Sequence, residues 1–177
     1  MGGSQGAKAI NQILYDSLEF LMKKQFRIVH IIGECNQHSF HVKNSTNYIQ
    51  KKFTNEMAAL IQNCDLVISR SGAGTINELI ETGKPSILIP YPYSKKNHQE
   101  NNAMILAESG GSILINQNTI SKEVFEETLE RIFKTKSKNG KNHYEILDLM
   151  KRNMKNHNKI KSKIEIKKFI NYFLKEF

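Results

Sequence analysis

A glycine-rich turn followed by a glutamate is the part of this sequence best suited to bind a small anionic ligand. Residues 71–75 read Ser-Gly-Ala-Gly-Thr, and Glu78 lies three residues beyond Thr75. If the turn opens a helix, the first backbone N–H groups are free, and the positive end of the helix dipole suits a phosphate. Glu78, one helical turn further along the same face, can accept hydrogen bonds from two adjacent ribose hydroxyls. A capping box is the alternative, with Thr75 as N-cap and Glu78 three residues later.

Two other polar segments offer groups that suit a phosphate or a sugar. Residues 2–7 read Gly-Gly-Ser-Gln-Gly-Ala, so the backbone there can approach a ligand closely. This segment matches neither the dinucleotide-binding fingerprint nor the P-loop. Residues 97–102 read Asn-His-Gln-Glu-Asn-Asn, in which Gln99 and Asn102 share one helix face and present amides that match sugar hydroxyls. For His98, a helix-start or packing role is the alternative.

Short apolar strands alternate with helices along most of the chain. We predict strands at 26–32, 48–53, 66–68, 86–89 and 112–115, and helices at 7–24, 55–63, 75–82, 98–109 and 121–133. This alternation predicts an α/β fold, a Rossmann-like parallel sheet with helices on both faces. Ligands bind such sheets at the carboxyl ends of the strands, so the glycine-rich start and the loops after 66–68 and 86–89 should form the site.

The start of the chain departs from this pattern. Only Met1 precedes the glycine-rich residues 2–7, so the strand that should feed this turn is missing. We therefore expect a sheet that lacks its first strand, in a chain that is truncated or receives that strand from another polypeptide. The alternative is a glycine-rich terminus that simply caps the first helix. We predict that residues 1–142 form the binding domain, and that 134–142 within it is a linker.

The formal net charge of +9 is concentrated in the last quarter of the chain. Residues 1–133 carry 13 basic and 13 acidic side chains, whereas residues 134–177 carry 13 basic and 4 acidic ones. A neutral body argues against a nucleic-acid-binding domain, whose charge normally extends over the folded surface. Residues 143–177 are predicted to form two basic helices, at about 143–155 and 158–175, that pack on the domain or on a missing partner. An anionic membrane surface is the alternative for the second helix, which has an apolar stripe flanked by lysines.

The composition predicts a cytosolic protein. Hydrophobic residues make up 39% of the chain, yet no apolar run approaches the roughly 20 residues that a membrane-spanning helix requires. Cys35 and Cys64 are too few for a disulfide scaffold and lack the spaced partners of a zinc site, so we expect reduced thiols and no bound metal.

Together these motifs resemble the MurG family, which transfers N-acetylglucosamine from UDP-GlcNAc to lipid I and so makes lipid II for peptidoglycan. The resemblance runs from Gly2 to about Phe133 and covers the C-terminal, donor-binding half of the family. It is carried by residues 2–7, Asp65 to Thr75 including Arg70, Glu78, Gly83-Lys84-Pro85, and His98-Gln99 with Asn102. It implies one half of a GT-B glycosyltransferase, in which two Rossmann-like domains face a cleft.

The resemblance also implies a role for each matched residue. The diphosphate would bind at the helix start formed by Ala73, Gly74 and Thr75, and the ribose would bind Glu78. The remaining donor contacts would come from Ser4 and Gln5 near the phosphates and sugar, from the backbone at Thr54 on the uracil edge, and from His98, Gln99 and Asn102 on the sugar.

The acceptor-binding half of the family has no counterpart in this sequence, and the catalytic base is expected there. We therefore expect the chain alone to bind UDP-GlcNAc weakly and to catalyse nothing. The resemblance also implies no cofactor and no bound metal, since GT-B enzymes usually stabilise the leaving diphosphate with a helix start, and the lack of an Asp-x-Asp pair fits this. The implied partners are lipid I, through an N-terminal half or a partner chain, and the cytoplasmic face of a bacterial plasma membrane as a peripheral contact; nucleic acid is not expected. Two alternatives are a donor-binding subunit of a split UDP-GlcNAc transferase and a lipid- or nucleic-acid-binding module that uses the basic tail.

Overall fold

The fold alternates short strands with helices, as the sequence predicts. The computed structural model describes residues 7–33, 44–138 and 141–158. The helices are α1 (Lys8–Asp16), α2 (Leu18–Lys23), α3 (Met57–Asn63), α4 (Ala73–Thr82), α5 (His98–Glu108), α6 (Lys122–Ile132) and α7 (145–158). The strands are β1 (Ile28–Ile31), β2 (Tyr48–Lys51), β3 (Val67–Ser69), β4 (Ser86–Leu88), β5 (Ser112–Leu114), β6 (Thr135–Lys138) and β7 (Lys141–Tyr144). Ser4, Gln5 and the second basic helix, beyond residue 158, lie outside the described residues.

Strands β1 to β5 pair in parallel, as predicted. Strands β3, β4 and β5 form a three-stranded sheet in that order, with Ile68 opposite Ile87 and Ile87 opposite Ile113. Strands β1 and β2 form a second parallel pair, with Ile28 opposite Tyr48. Parallel neighbours need crossover connections, and α4 and α5 supply these for the three-stranded sheet. The predicted parallel α/β fold is confirmed.

The three-stranded sheet is buried on both faces. Along β4 and the residue after it, Ile87 and Ile89 belong to one hydrophobic core and Leu88 to another, because successive side chains of a strand point to opposite faces. The first core is completed by side chains of α1, α6 and α7, among them Ile10, Leu14, Phe125, Leu129, Ile132, Leu147 and Met150. The second core contains Ile61, Ile76, Leu79, Ile80, Ala103, Leu106 and Met154. This arrangement explains why β4 is buried at every position.

Helix α7 crosses the end of the sheet at which the strands begin. Lys151 Nζ lies 3.1 Å from Asp65 Oδ1, just before β3, and Asn153 Nδ2 donates to Gly110 O at 3.1 Å, just before β5. Met154 is fully buried. The described part of the basic segment is therefore packed on the body of the molecule.

Three sequence predictions about elements are wrong. The single helix expected at 7–24 is divided into α1 and α2 at Ser17, whose backbone leaves helical geometry. The helix expected to begin at Thr75 begins two residues earlier, at Ala73. The expected linker at 134–142 instead contributes to an antiparallel pair of strands, β6 and β7, in which Thr135 pairs with Tyr144. Its composition hides the hairpin, because Lys and Ser give no apolar alternation to signal a strand.

Candidate functional site

The start of α4 presents unused backbone donors to open space. Gly72 is the N-cap in an extended conformation, and Ala73, Gly74 and Thr75 form the first turn. The N–H groups of that turn have no partner within the described ranges, because helix geometry gives the first N–H groups none. A Cβ placed on Gly74 would meet nothing within 4 Å. The capping-box interpretation is wrong, because Thr75 lies inside the helix and provides no side-chain cap.

Glu78 lies one helical turn beyond this open helix start. Its side chain is half-buried, and its carboxylate makes no hydrogen bond or ion pair within the described part of the chain. The hydroxyl of Thr82 donates to the backbone carbonyl of Glu78 at 2.6 Å, a contact that does not involve the carboxylate. A carboxylate without a protein partner is available as an acceptor, so a ligand with paired hydroxyl donors suits it.

The loops after β3 and β4 are tied together at the start of α5. Ser71, which is fully buried, donates its hydroxyl to Gln99 O at 2.6 Å and accepts from Asn102 Nδ2 at its carbonyl at 3.1 Å. The backbone N–H of Tyr91 donates to Gln99 Oε1 at 3.0 Å. Gln99 and Asn102 therefore lie beside the loop that opens α4, and each uses part of its amide to hold the loops in place.

The side chains of His98 and Thr54 do not help to hold the loops of the site together. His98 is the first residue of α5 and is exposed, and its ring makes no hydrogen bond to the residues that the structure describes. Thr54 follows β2, and its hydroxyl accepts from the N–H of Glu56 at 3.1 Å, which shapes the turn before α3. The side chain of Thr54 thus shapes a local turn.

Arg70 has a structural role in holding these loops together. Its Nη1 donates to Ile89 O and Pro90 O, each at 2.9 Å, and its Nη2 donates to the side-chain oxygen of Gln117. Burial lowers the pKa of this guanidinium, although an arginine remains charged at neutral pH. Its partners are 19, 20 and 47 positions away in the sequence, and two are backbone carbonyls, so no sequence signal marks them.

Two kinds of feature are missing from the described ranges. These ranges contain no cluster of three or more His, Cys, Asp or Glu side chains that could hold a metal ion. None of their helices combines the length and the apolar character needed to cross a bilayer.

Comparison with known proteins identifies relatives of this chain. The sequence profile described as "Glycosyltransferase family 28 C-terminal domain" matches residues 1–168. Proteins from Prochlorococcus marinus strains MIT 9301 and MIT 9312 are 87% and 88% identical over all 177 residues, which are 49% of each relative. Both are named UDP-N-acetylglucosamine--N-acetylmuramyl-(pentapeptide) pyrophosphoryl-undecaprenol N-acetylglucosamine transferase. The chain thus spans about half the length of the curated relatives it matches.

Solved structures agree with the sequence relatives. The crystal structure of MurG from Acinetobacter baumannii superposes with a TM-score of 0.68 and 26% identity, over 89% of this chain and 44% of that one. A glycosyltransferase of kitacinnamycin shares the fold with a TM-score of 0.59 at 16% identity, over 83% of this chain and 36% of that one.

These findings confirm the predicted resemblance to the MurG family and the GT-B glycosyltransferase architecture. The profile match extends over nearly the whole chain, and it includes the helix start, Glu78 and the beginning of α5. The chain belongs to the glycosyltransferase family 28 C-terminal domain family.

Proposed function

We propose that this chain binds the donor UDP-GlcNAc, as the donor half of an enzyme that transfers N-acetylglucosamine to lipid I in peptidoglycan synthesis. The observation that carries the proposal is the open first turn of α4 next to the unpaired carboxylate of Glu78. A nucleoside diphosphate offers the complementary groups, since its phosphates are anionic and its ribose carries two adjacent hydroxyl donors. The names of the Prochlorococcus relatives support the choice of sugar and acceptor.

Each site residue then has a defined task. The N–H groups of Ala73, Gly74 and Thr75 hold the diphosphate, and Glu78 accepts from the ribose hydroxyls. Thr54 contributes its backbone to the uracil edge. The sugar is contacted by His98, Gln99 and Asn102, and Ser4 and Gln5 complete the contacts to the phosphates and sugar.

During sugar transfer, the start of α4 lies next to the leaving diphosphate. A hydroxyl oxygen of the acceptor attacks the anomeric carbon, its proton passes to a base, and the bond from that carbon to the diphosphate oxygen breaks. The released UDP carries the added negative charge, which the N–H groups at the start of α4 stabilise. We assign the base and the acceptor site to a part of the enzyme outside this chain, either an N-terminal half or a partner subunit.

The remaining assignments follow from the same proposal. Residues 1–142 constitute the donor-binding domain, and the basic segment 143–177 packs on that domain or on a missing partner. Peripheral contact with the cytoplasmic face of the membrane brings the domain to its lipid acceptor. The burial of Leu147, Met150 and Met154 supports the packing of the first of these helices.

Removal of the Glu78 charge tests the ribose contact. Calorimetric titration of the chain with UDP-GlcNAc, UDP and NAD should show binding of the two uridine ligands only. We expect Glu78→Gln to weaken both by tenfold or more, because a hydrogen bond to a charged group contributes about 1.5–3 kcal/mol. The matched control is Glu81→Gln, an exposed glutamate on the same helix. Failure of the folded chain to bind either uridine ligand would refute the proposal, as would equal losses in the two variants.

A methyl group at the helix start tests the diphosphate contact. The extra Cβ of Gly74→Ala meets no protein atom, and alanine is preferred to glycine in a helix by roughly 0.5–1 kcal/mol. We therefore expect unchanged or higher thermal stability together with at least tenfold weaker binding of UDP. Undiminished affinity for UDP would place the phosphates elsewhere.

A further inference from the structure

The guanidinium of Arg70 connects the ends of three neighbouring strands. Arg70 follows β3, its Nη1 donates to Ile89 O and Pro90 O after β4, and its Nη2 donates to the side chain of Gln117 after β5. The ring of Tyr91 lies against the guanidinium, with 5.5 Å between Cζ and the ring centroid. Charged donors form stronger hydrogen bonds than neutral ones, so this side chain holds the Pro90 carbonyl firmly.

The Pro90 carbonyl belongs to the peptide that orients Gln99. That peptide ends in the N–H of Tyr91, which donates to Gln99 Oε1 at 3.0 Å. Because Oε1 is occupied by a backbone donor, the Nε2 amino group of Gln99 is turned away from Tyr91. Gln99 is thereby fixed as a hydrogen-bond donor toward whatever lies beside the start of α5.

The backbone before α5 needs external support. Lys96 and Asn97 have φ values of 51° and 54°, in the left-handed region that favours glycine. Contacts that anchor this stretch are the bond from the N–H of Gln99 to Ser94 Oγ at 3.4 Å and the bond from Ser71 Oγ to Gln99 O. Arg70 anchors the other end of the same loop, at Ile89 and Pro90.

We propose that Arg70 is a positioning residue that aims the amide of Gln99 at the sugar of the donor through the Pro90–Tyr91 peptide. Arg70 touches no ligand atom in this arrangement. Its effect is confined to the part of the donor that Gln99 contacts, so it favours a nucleotide carrying a hydroxyl-rich sugar over the bare nucleotide. The inference rests on the proposed function, because it deepens the role of the same site.

The first test needs no ligand. Amide hydrogen exchange of the folded chain should show Tyr91 N–H protected, since it is bonded to Gln99 Oε1. In Arg70→Met we expect exchange at Tyr91 to accelerate at least tenfold while the amide of Ile87, in the middle of β4, stays as protected as before. Arg131→Met, at an exposed arginine of α6, is the matched control. Unchanged protection of Tyr91 in Arg70→Met overturns the inference whether or not the chain binds a nucleotide.

The second test separates positioning from general structural support. We expect Arg70→Met and Gln99→Ala each to weaken UDP-GlcNAc binding about tenfold and UDP binding less than twofold. The double variant should bind UDP-GlcNAc no more weakly than Gln99→Ala alone, because Arg70 acts only through Gln99. Equal losses for the two ligands, or additive losses in the double variant, overturn the inference. If the unaltered chain binds no uridine nucleotide, the proposed function is overturned. The inference then concerns only the effect of Arg70 on the position of Gln99.

Discussion

His30 forms the centre of a buried polar network between α1, β1 and β2. Its Nε2 lies 2.9 Å from Asn11 Oδ1, and its Nδ1 lies 2.9 Å from the Tyr48 hydroxyl. Asn11 in turn donates its Nδ2 to Ile32 O at 3.0 Å, which fixes Oδ1 as the acceptor for a protonated Nε2. A neutral imidazole protonated at Nε2 donates to Asn11 Oδ1 and leaves Nδ1 as an acceptor beside the Tyr48 hydroxyl, which itself donates to Gln50 Oε1 at 3.0 Å. Burial lowers the pKa of His30 to about 4, because the charged ring would lose its water.

This lowered pKa predicts a loss of stability in mild acid. The unfolded chain binds a proton at His30 near pH 6.5, whereas the folded chain does so only near pH 4. Between these values the unfolded state holds the extra proton, so the free energy of unfolding falls as the pH falls, by up to about 3 kcal/mol. Urea unfolding from pH 7.5 to pH 4 should show this slope. It should be flatter in His30→Gln and unchanged in His98→Gln, which alters an exposed ring; parallel slopes in all three proteins would contradict the assignment.

Individual side-chain roles could be predicted only where a local motif carries them. The Gly-Ala-Gly-Thr turn with Glu78 indicates an open helix start from sequence alone, and the structure places Gly72 at the N-cap of α4 and the other residues within that helix. The same residues also match a capping box, and only the backbone of Gly72 shows which description holds. Arg70 could not be assigned, because its carbonyl partners belong to a loop that the fold brings close.

At the scale of elements, β1 and β4 were predictable because their apolar, β-branched runs end at Gly33 and at Pro90. The start of α5 was also predictable, since the prolines at 90 and 92 end the preceding strand before the polar residues begin. The hairpin of β6 and β7 was missed because its strands are polar. Rings of Phe133 and Tyr144, with centroids 5.6 Å apart, pack at its base, and such a contact between distant positions leaves no local pattern.

The packing of α7 against the turn before β5 leaves no room for an added methyl group. A Cβ on Gly111 would lie 2.2 Å from Met154 Sδ and 2.7 Å from Met154 Cγ. We expect Gly111→Ala to destabilise the fold by about 1–3 kcal/mol, because Met154 is buried and has to be displaced. Thermal or urea unfolding measures this loss.

A double-mutant cycle tests whether the close approach of Met154 causes the stability loss of Gly111→Ala. In a background that carries Met154→Ala, the added methyl group has space, so Gly111→Ala should cost clearly less than it does in the unaltered chain. Equal costs in the two backgrounds would show that the glycine is needed for its backbone and not for the close approach of Met154.

At the scale of the whole molecule, α7 links the two hydrophobic cores. Leu147 is buried in the core that contains α1 and α6, and Met154 is buried in the core that contains α4 and α5. We expect Leu147→Ala and Met154→Ala each to lower the stability of a single cooperative transition by about 2–5 kcal/mol, with the denaturant slope unchanged. Urea unfolding followed by circular dichroism and by tyrosine fluorescence tests this expectation. Separate transitions for the two variants would show that the cores unfold independently.

The two ends of the three-stranded sheet have different roles, packing at one end and the candidate site at the other. Helix α7 closes the end at which the strands begin, whereas Arg70, the α4 turn and Gln99 gather at the end at which they finish. Substitutions at distant, independent positions combine with additive effects. Substitutions that change ligand preference at one end should therefore leave the stability provided by the other end unchanged. Stabilising substitutions around α7 would then allow the site residues to be varied without unfolding the chain.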